Sequence, residues 1–377
     1  MSWDIVGMGA VASIGTTPGE IFDSLCAGRG GPAGLRAFDT DRYRAKRAYE
    51  IDDRARPGVD EPGRATRWLK AAVRQALADA GHPGDLGDVP VLVGTTLQEQ
   101  RSAELWWRRG APLGTADLYF GTALRETFGA VRTYTFANAC AAALYALAMA
   151  TDLIEAGEAD TVVVAGTDAI GESAFGTLDR VQNDVPDALR PFDRSHKGML
   201  MGEGAVAVVV RRAAGPGQRA HARLRAVGVN CDAHHPTAPD PAGITRVLRD
   251  AYRRAGVRPE DVDLVMLHGS GTPKNDTTEA GVLAGIFEPG AGPLMTAIKS
   301  MTGHTLGGSG LLSLVVAALA ARRGTVPPVL GLTDPVPEAA GLRLVRHEAA
   351  AAEIGIAQVD AFGFGGINAA AILEATP

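Results

Sequence analysis

Cys140 stands in the stretch TFANACAAAL, at the front of an alanine-rich segment whose composition predicts a helix. Unpaired backbone N–H groups and the helix dipole favour negative charge at the start of a helix. We therefore expect a lowered pKa for the Cys140 thiol and an accessible thiolate near neutral pH, as a nucleophile requires. The alternative is a small buried hydrophobic residue, and for Cys26 and Cys231 nothing in the sequence argues against it.

Two of the eight histidines lie where they could assist a nucleophile. His268 directly follows an apolar strand-like run and opens the turn HGSGTPKND, and residues at the carboxyl end of a parallel strand commonly line a site. His304 lies in AIKSMTGHTLGG, just before a second helical segment. Lys299 has apolar neighbours, which is costly for a lysine unless it serves a polar network. A surface lysine on a loop is the alternative.

Two glycine-rich segments could also carry function. In DAFGFGGINAA, glycines crowd Phe362 and Phe364, which indicates backbone that approaches a ligand or another chain closely, or a plain turn. Residues 7–12, GMGAVA, match a dinucleotide-binding pattern after a strand. The acidic residue that such a site needs about 20 positions further on is missing, because Glu20 and Asp23 come too early. We therefore reject a dinucleotide site.

The elements that must position these residues alternate between strands and helices, which is typical of an α/β fold. Helical patterns occupy residues 65–80 and 244–255. Strand-like runs rich in Val and Ile occur at residues 4–6, 89–93, 161–165, 205–210, 262–267 and 357–361.

Segments 140–157 and 307–324 have equal length and superimpose at an offset of 167 residues. Both lack a polar face over their first turns, which is typical of a helix buried on every side. They predict a duplicated α/β unit with two buried central helices, although two alanine- and glycine-rich helices could also match by chance. The join is expected within residues 211–219, giving an N-terminal half 1–215 with the nucleophile and a C-terminal half 216–377 with the His/His/Lys block.

Composition excludes several classes of protein. A chain of 377 residues with 46% hydrophobic side chains can bury large cores. The net charge of −6 argues against a nucleic-acid partner. Three cysteines suit a reducing compartment, and the apolar run 306–321 is shorter than the ~20 residues that span a bilayer. We expect a cytoplasmic protein with no membrane partner.

Taken in order, five blocks of the sequence resemble the β-ketoacyl-acyl carrier protein synthases, the elongating condensing enzymes of fatty-acid and polyketide assembly. The blocks are DIVGMGAVASIG, NACAAALYA, RPFDRSHKGMLMGEGAVAVVV, HGSGTPKNDTTEA, and KSMTGHTLGGSG with AFGFGGINAA. The resemblance covers nearly the whole chain. It implies a thiolase-like fold, in which two similar halves stack as α-β-α-β-α layers.

The resemblance also implies roles in a decarboxylative Claisen condensation. Cys140 would accept the acyl chain as a thioester, with an oxyanion hole formed by the backbone N–H groups of Cys140 and Phe364. His268 and His304 would hold the malonyl thioester carbonyl and stabilise the enolate. Lys299 would order His304 and the network around it.

Further expectations concern the substrate. Ser270 and Thr272 would hydrogen-bond the phosphopantetheine arm, which arrives on the acyl carrier protein, so that no bound cofactor and no metal is expected. Phe364 would act as a gate that swings aside for an acyl chain. The acyl pocket would be lined by Ala143, Leu144 and Leu147, together with Trp106, Trp107 or Tyr119 of a dimer partner.

The expected partners are an acyl carrier protein and a second subunit. Carrier proteins of this kind are acidic and should dock on a basic patch, for which Arg64, Arg67 and Lys70 share a helix face. Arg44, Lys46 and Arg47 could widen the patch, and a solvated charged face is the alternative. The second subunit would pair through strand 161–165 as a sheet edge, in a homodimer or in a heterodimer with a related ketosynthase-like chain.

Three rival functions are weighed against elongation. A degradative thiolase would carry a second cysteine in the C-terminal glycine block, where residues 362–366 contain none. A chain-length factor would lack the nucleophile, whereas this chain has Cys140. A ketosynthase-like acyltransferase that does not elongate stays open, because Ser313 stands where the family usually has a glutamate. Met199 likewise replaces a usual aromatic residue.

Overall fold

The protein is described by a computed structural model that covers residues 2–54, 59–213 and 220–376. Helices and strands alternate along most of this chain, as the sequence predicts. The helices are α1 (Pro18–Cys26), α2 (Arg64–Asp79), α3 (Gln100–Arg109), α4 (Phe120–Phe128), α5 (Ala142–Glu155), α6 (Glu172–Val181), α7 (Pro241–Ala255), α8 (Pro273–Ala284), α9 (Lys299–Thr302) and α10 (Ser309–Arg323). The strands are β1 (Trp3–Ala12), β2 (Ala33–Gly34), β3 (Arg47–Ala48), β4 (Val91–Gly94), β5 (Thr133–Phe136), β6 (Thr161–Asp168), β7 (Gly204–Arg212), β8 (Ala222–Cys231), β9 (Leu264–Met266), β10 (Leu294–Thr296), β11 (Thr325–Val326), β12 (Arg343–Leu344), β13 (Ala350–Ala351), β14 (Ile356–Gly363) and β15 (Ile367–Glu374).

The strands repeat one topology twice. The order β5-β4-β6-β7-β1 in the first half recurs as β10-β9-β14-β15-β8 in the second. The directions also agree: the first three strands of each set run parallel, and the fourth and fifth pair antiparallel. The two sets join where β1 pairs with β8 over three residues of each strand. The predicted duplication is confirmed.

The helices form the outer and middle layers. On the outside, α2 packs against β1 and β7, and α7 packs against β8 and β15. Between the two sets of strands, α5 contacts β4 and β6, α10 contacts β14, and the two helices contact each other. Every residue of α10 from Ser309 to Ala320 is buried, which confirms a central helix without a polar face. The layers follow the thiolase-like α-β-α-β-α order.

The glycines of the N-terminal GMGAVA segment serve packing between a strand and a helix. A Cβ added at Gly9 would lie 2.1 Å from the carbonyl oxygen of Ala72, and one at Gly7 would lie 2.1 Å from that of Ala76. Both carbonyls belong to α2, which could not approach β1 so closely over any other residue. This packing explains the glycines that resemble a dinucleotide motif.

The strand expected at the edge of the sheet lies in its interior. Residues 161–165 belong to β6, which is hydrogen-bonded to β4 on one side and β7 on the other. The terminal strands are β12 at one end of the sheet and β5 at the end nearest β6, and Tyr134 and Thr135 of β5 are exposed. Its sequence, TYTF, is short and only partly buried, so it lacks the apolar run that identifies a core strand. A partner that adds a strand at this end must pair with β5.

Two further expectations concern the apolar segment before residue 324 and the boundary between the two halves. The segment Leu306–Arg323 is long and apolar enough to cross a membrane, but 83% of it is buried inside the protein, where it forms the core. The boundary between residues 215 and 216 lies outside the described residues and stays a prediction.

Candidate active site

Cys140 lies on a tight turn between β5 and α5. The 3₁₀ turn Ala139–Ala141 precedes the helix, and Ala139 has a positive φ of 47°. An equivalent 3₁₀ turn, Leu306–Gly308, precedes α10, and Leu306 has a φ of 48°. Non-glycine residues seldom adopt this conformation, and it marks sites where the surrounding structure imposes a sharp turn. Each half therefore contains one such turn, and the residue at the position of Cys140 in the second is Gly307.

The environment of Cys140 does not favour its thiolate. Burial raises the pKa of the thiol to about 11 and outweighs the positive charge of Lys299, which acts to lower the pKa. Asp168 raises the pKa further, and the backbone N–H groups of Phe364 and Cys140 lower it. The expectation of a lowered pKa is thus wrong, because removal from water dominates at a fully enclosed sulfur. The thiol is protonated at neutral pH and must lose its proton as it reacts.

His268 and His304 lie side by side in the interior. Their ring centroids are 5.4 Å apart, and the ring planes are inclined by 75°. Burial lowers the pKa of both rings well below the usual range, and the charge of Lys299 lowers both further, so both are neutral at pH 7. His304 accepts a hydrogen bond on Nδ1 from the Leu306 N–H at 3.1 Å, which places the ring proton on Nε2.

Two ring nitrogens are left over. His304 Nε2 and His268 Nδ1 are buried and have no hydrogen-bond partner among the residues that the structure describes. Buried polar atoms of this kind are rare in native proteins and call for an explanation. Two such atoms on neighbouring rings suit a site that supplies its hydrogen bonds to a substrate.

Lys299 is buried, which excludes the surface alternative. Its ammonium group donates a hydrogen bond to the backbone carbonyl of His268. Lys299 was expected to hold His304, but its described hydrogen bond holds His268. Burial lowers the pKa of Lys299 to about 8, opposed by Glu279 and other nearby acids. Glu279 accepts hydrogen bonds from the backbone N–H groups of His268 at 2.6 Å and Gly269 at 2.9 Å. Lys299 and Glu279 therefore fix the backbone that carries His268.

The reacting groups share a narrow cavity, called here the first cavity. Its volume is about 30 Å³, so it holds a few water molecules at most. Phe364 is 43% exposed and forms part of the wall, so it lies between solvent and the interior of the cavity. Ser270 and Thr272 also line the cavity, with their hydroxyl oxygens 2.8 Å apart. The predicted catalytic, phosphopantetheine-binding and gate residues that line it are Cys140, His268, Ser270, Thr272, His304 and Phe364.

A second cavity of about 360 Å³ begins on the other side of Cys140. Cys140, Met199 and Phe364 line both cavities and so separate them. The other apolar side chains of the second cavity are Leu97, Ala139, Ala174, Leu178, Val181, Met201 and Leu306. Its size and lining suit an acyl chain attached to Cys140.

The residues expected to line the acyl pocket lie elsewhere. Ala143, Leu144 and Leu147 are fully buried in the core between the two sets of strands, because α5 directs them away from both cavities. Met199, α6 and the loop after β4 supply much of the wall instead. Trp106, Trp107 and Tyr119 are exposed on the surface, at 51%, 80% and 56%, and their contribution to the pocket of a dimer partner stays a prediction.

The expected carrier-docking patch loses one of its three members. Arg64 is 1% exposed and forms ion pairs with Glu203, Asp60 and Asp53, since it faces the core at the start of α2. It is unavailable to a carrier protein. The side chain of Arg67 is half exposed, and Arg67 and Lys70 line a surface cavity of about 450 Å³.

Asp168 is a member of the site that the sequence interpretation misses. It is fully buried at the end of β6, and its carboxylate accepts hydrogen bonds from the Thr95 hydroxyl and from the N–H groups of Thr96, Leu97 and Gly307. It thereby ties the turn of the second half to the first half. Its position at the carboxyl end of an apolar strand was an available signal. Glu279 is also missed, although it lies within the quoted block HGSGTPKNDTTEA.

Comparison with protein families decides the assignment. The family model described as the β-ketoacyl synthase N-terminal domain matches residues 4–215, and that of the C-terminal domain matches residues 221–333. The chain belongs to the β-ketoacyl synthase family. It is therefore an acyltransferase of the condensing, chain-elongating type, which confirms the resemblance drawn from the five sequence blocks.

Individual β-ketoacyl synthases resemble the chain over its whole length. The 3-oxoacyl-acyl-carrier-protein synthase 2 of Synechocystis is 30% identical over 97% of this chain and 95% of the relative. That of Coxiella burnetii is 28% identical over 98% and 97%. Among solved structures, a chain of the ishigamide ketosynthase/chain length factor is 32% identical with a TM-score of 0.89 and covers 100% of this chain and 99% of its own. A β-ketoacyl synthase from Burkholderia phymatum is 26% identical, with a TM-score of 0.85 and 100% coverage of both chains.

Proposed function

We propose that the protein condenses an acyl group held on Cys140 with a malonyl group held on an acyl carrier protein, releasing CO₂ and a β-ketoacyl thioester. The observation that carries this proposal is the Nε2–H of His304, which has no partner within residues 2–54, 59–213 and 220–376 and lines the same cavity as Cys140 and the neutral ring of His268. A nucleophile beside a preorganised hydrogen-bond donor is what acyl transfer followed by enolate formation requires.

In the first step, the sulfur of Cys140 attacks the thioester carbonyl of the donor. A new C–S bond forms, the bond to the carrier thiol breaks, and the proton of Cys140 leaves with the carrier thiol. The neutral rings can pass this proton, because neutral imidazole both accepts and donates. The N–H groups of Cys140 and Phe364, which favour charge on the sulfur, form the oxyanion hole.

In the second step, the malonyl thioester occupies the first cavity. The bond to its carboxylate breaks, CO₂ leaves, and the electron pair forms an enolate whose oxygen accepts a hydrogen bond from His304 Nε2–H. His268 acts beside it as the second partner of that oxygen. The enolate carbon then attacks the acyl thioester, and the Cys140 thiolate is the leaving group, reprotonated for the next cycle.

The substrates arrive on a phosphopantetheine arm, so the reaction needs no resident cofactor. Ser270 and Thr272 line the first cavity and offer hydroxyl groups to the amides of that arm. Arg67 and Lys70 remain as the part of the predicted basic patch that a carrier protein can reach. A chain of the structure "AntDE:AntF", described as a ketosynthase with its acyl carrier protein, shares the fold at a TM-score of 0.87.

The active unit is a dimer that forms at β5, either with a second copy or with a related ketosynthase-like chain. The edge of β5 offers backbone groups for pairing, and Val131 just before the strand and Tyr134 within it are 52% and 46% exposed. Light scattering of the purified chain decides between the two, since a stable inactive monomer requires the related partner. We place the protein in the cytoplasm, where fractionation should recover it.

The test uses the Cys26→Ser/Cys231→Ser variant, so that Cys140 is the one thiol. After incubation with an acyl donor, mass spectrometry should show the acyl mass on Cys140, and malonyl carrier protein should then release one CO₂ per ketoacyl product. Acylation without any malonyl-dependent CO₂ would establish the acyltransferase that does not elongate. An unmodified Cys140 would refute the proposed nucleophile.

A further inference from the structure

Met199 lies at the junction between the first and the second cavity. It lines both cavities, and within the described part of the chain it shares this position with Cys140 and Phe364. Met201, two residues further on, lines the second cavity but not the first. An acyl group held on Cys140 that extends into the second cavity therefore has its first carbons beside Met199 and Phe364.

The main chain that carries Met199 is fixed by hydrogen bonds. The Met199 N–H donates to Oε1 of Gln182, the residue that directly follows α6. A Cβ at Gly198 would lie 2.1 Å from the same oxygen, so a side chain at residue 198 would displace Gln182. On the other side, the Leu200 carbonyl accepts a hydrogen bond from the His304 N–H at 3.0 Å. The adjustable part of Met199 is therefore its side chain.

The two sides of the junction can adjust in different ways. Phe364 has a rigid ring, but the two glycines that follow it have positive φ values of 86° and 76°, so its backbone can change conformation. Met199 has a fixed backbone and an unbranched side chain, and methionine side chains adapt to irregular spaces. A substituent near the thioester can therefore be accommodated by a change of rotamer at Met199, while the rest of the wall stays in place.

We propose that Met199 determines specificity at the thioester end of the acyl chain, by admitting acyl groups with a substituent on the carbon next to the carbonyl, such as a 2-methyl group. The inference rests on the proposed function, since it assumes that Cys140 holds the acyl chain and that the chain extends into the second cavity. The carbon next to the carbonyl lies at the junction whatever the length of the chain. A stiffer side chain at residue 199 would leave a straight chain its path but would take the space that a substituent needs.

The experiment measures initial rates of Cys140 acylation by mass spectrometry in the Cys26→Ser/Cys231→Ser background. The acyl donors are the N-acetylcysteamine thioesters of octanoic acid and of 2-methyloctanoic acid, and methionine at residue 199 should accept both. In Met199→Phe the ratio of the 2-methyloctanoyl rate to the octanoyl rate should fall at least about tenfold, because one carbon that fits or does not fit a pocket changes rates by about 10- to 200-fold. The difference in intrinsic reactivity between the two thioesters cancels, because each ratio is compared with that of the Met199 protein.

A second variant separates stiffness from bulk. Isoleucine has about the bulk of methionine, but its branched Cβ restricts the side-chain torsion next to the backbone. The ratio should therefore fall in Met199→Ile as well. This variant also decides the question if Met199→Phe does not fold.

Met201→Phe is the matched control, because Met201 lies away from the junction. It can slow both acyl donors but should keep the ratio of their rates. The inference is overturned by a Met199 protein that accepts octanoyl and rejects 2-methyloctanoyl, by an unchanged ratio in a folded residue-199 variant, or by an equal fall in Met201→Phe. These outcomes contradict this inference alone, whereas no acylation by either donor contradicts the proposed function as well.

Discussion

The backbone N–H of Leu306 donates to His304 Nδ1 at 3.1 Å and so determines which ring nitrogen of His304 carries the proton. The turn that begins α10 thus aims an N–H donor, on Nε2, at the cavity that contains Cys140. Because Leu306 has a φ of 48°, this contact depends on an uncommon backbone conformation.

We expect His304→Ala to separate the two halves of the reaction. Losing one preorganised donor to a developing oxyanion lowers the rate by about 10²- to 10³-fold, and this loss should appear in malonyl decarboxylation. Acylation of Cys140 by a small thioester should fall much less. Parallel measurement of CO₂ release and acyl mass on Cys140 tests this, and equal losses in both would place His304 in the acylation step instead.

The raised pKa of Cys140 predicts slow, pH-dependent alkylation. Below a pKa of about 11 the thiolate is the minor form, so the rate with iodoacetamide should rise about tenfold per pH unit from pH 6 to pH 8. The positive charge of Lys299 stabilises the thiolate, and Lys299 loses this charge above about pH 8. The alkylation rate should therefore increase less steeply with pH above pH 8. The measurement uses the Cys26→Ser/Cys231→Ser background.

In the same assay at pH 7.5, Lys299→Met should slow alkylation, because a positive charge that lowers the pKa of Cys140 is removed. Lys70→Met is the matched control, since Lys70 lies on a surface cavity away from Cys140. A rate that reaches a plateau near pH 7 would contradict the direction of the Cys140 shift.

Phe364→Ala should relax the order of substrate loading. Phe364 lies in the wall between the two cavities, and the glycines after it have positive φ values of 86° and 76°, which permit a loop to change conformation. We expect malonyl thioester to reach an unacylated Cys140 and decarboxylate without condensation. The ratio of CO₂ to ketoacyl product should rise above that of the wild type, and an unchanged ratio would make Phe364 a packing residue.

Arg64 and Arg67 are three residues apart on α2, but replacing Arg64 should destabilise the protein much more than replacing Arg67. Arg64→Met leaves the buried carboxylates of Glu203 and Asp60 with one cation fewer, which should cost about 3–5 kcal/mol of unfolding free energy. Arg67→Met removes half-exposed ion pairs with Asp53 and Glu61 and should cost less than about 1 kcal/mol. Thermal denaturation compares the two, and equal melting temperatures would contradict the role of Arg64 in the core.

The same pair of arginines shows what a sequence can and cannot reveal. Spacing correctly placed Arg64 and Arg67 on one helix, but whether Arg64 faces solvent depends on Glu203, a partner 139 residues away. Cys140, His268 and His304 could be predicted as a group from the sequence, because each lies at the end of a strand or the start of a helix, and these boundaries are recognisable from neighbouring residues. The walls of the second cavity could not be predicted, because α6, Met199 and the loop after β4 come together only in the folded chain.

Some strands could likewise be predicted from the sequence and others could not. Those rich in Val and Ile, such as β6 and β7, were predictable from composition. By contrast, β15 is alanine-rich (INAAAILE), and β5 is half exposed, so neither has the pattern of a core strand. The pKa of Cys140 was misjudged for a related reason, because the degree of enclosure of one sulfur depends on residues distant in sequence.

Gly307, the counterpart of Cys140, limits which side chain the second turn can carry. A Cβ at this position would lie 2.6 Å from the backbone of Thr95, so no side chain fits there without moving the first half. A second nucleophile is thus beyond the reach of a single substitution. The two copies of the turn therefore have different tasks: one carries the reactive thiol, and the other holds the ring of His304 through the Leu306 N–H.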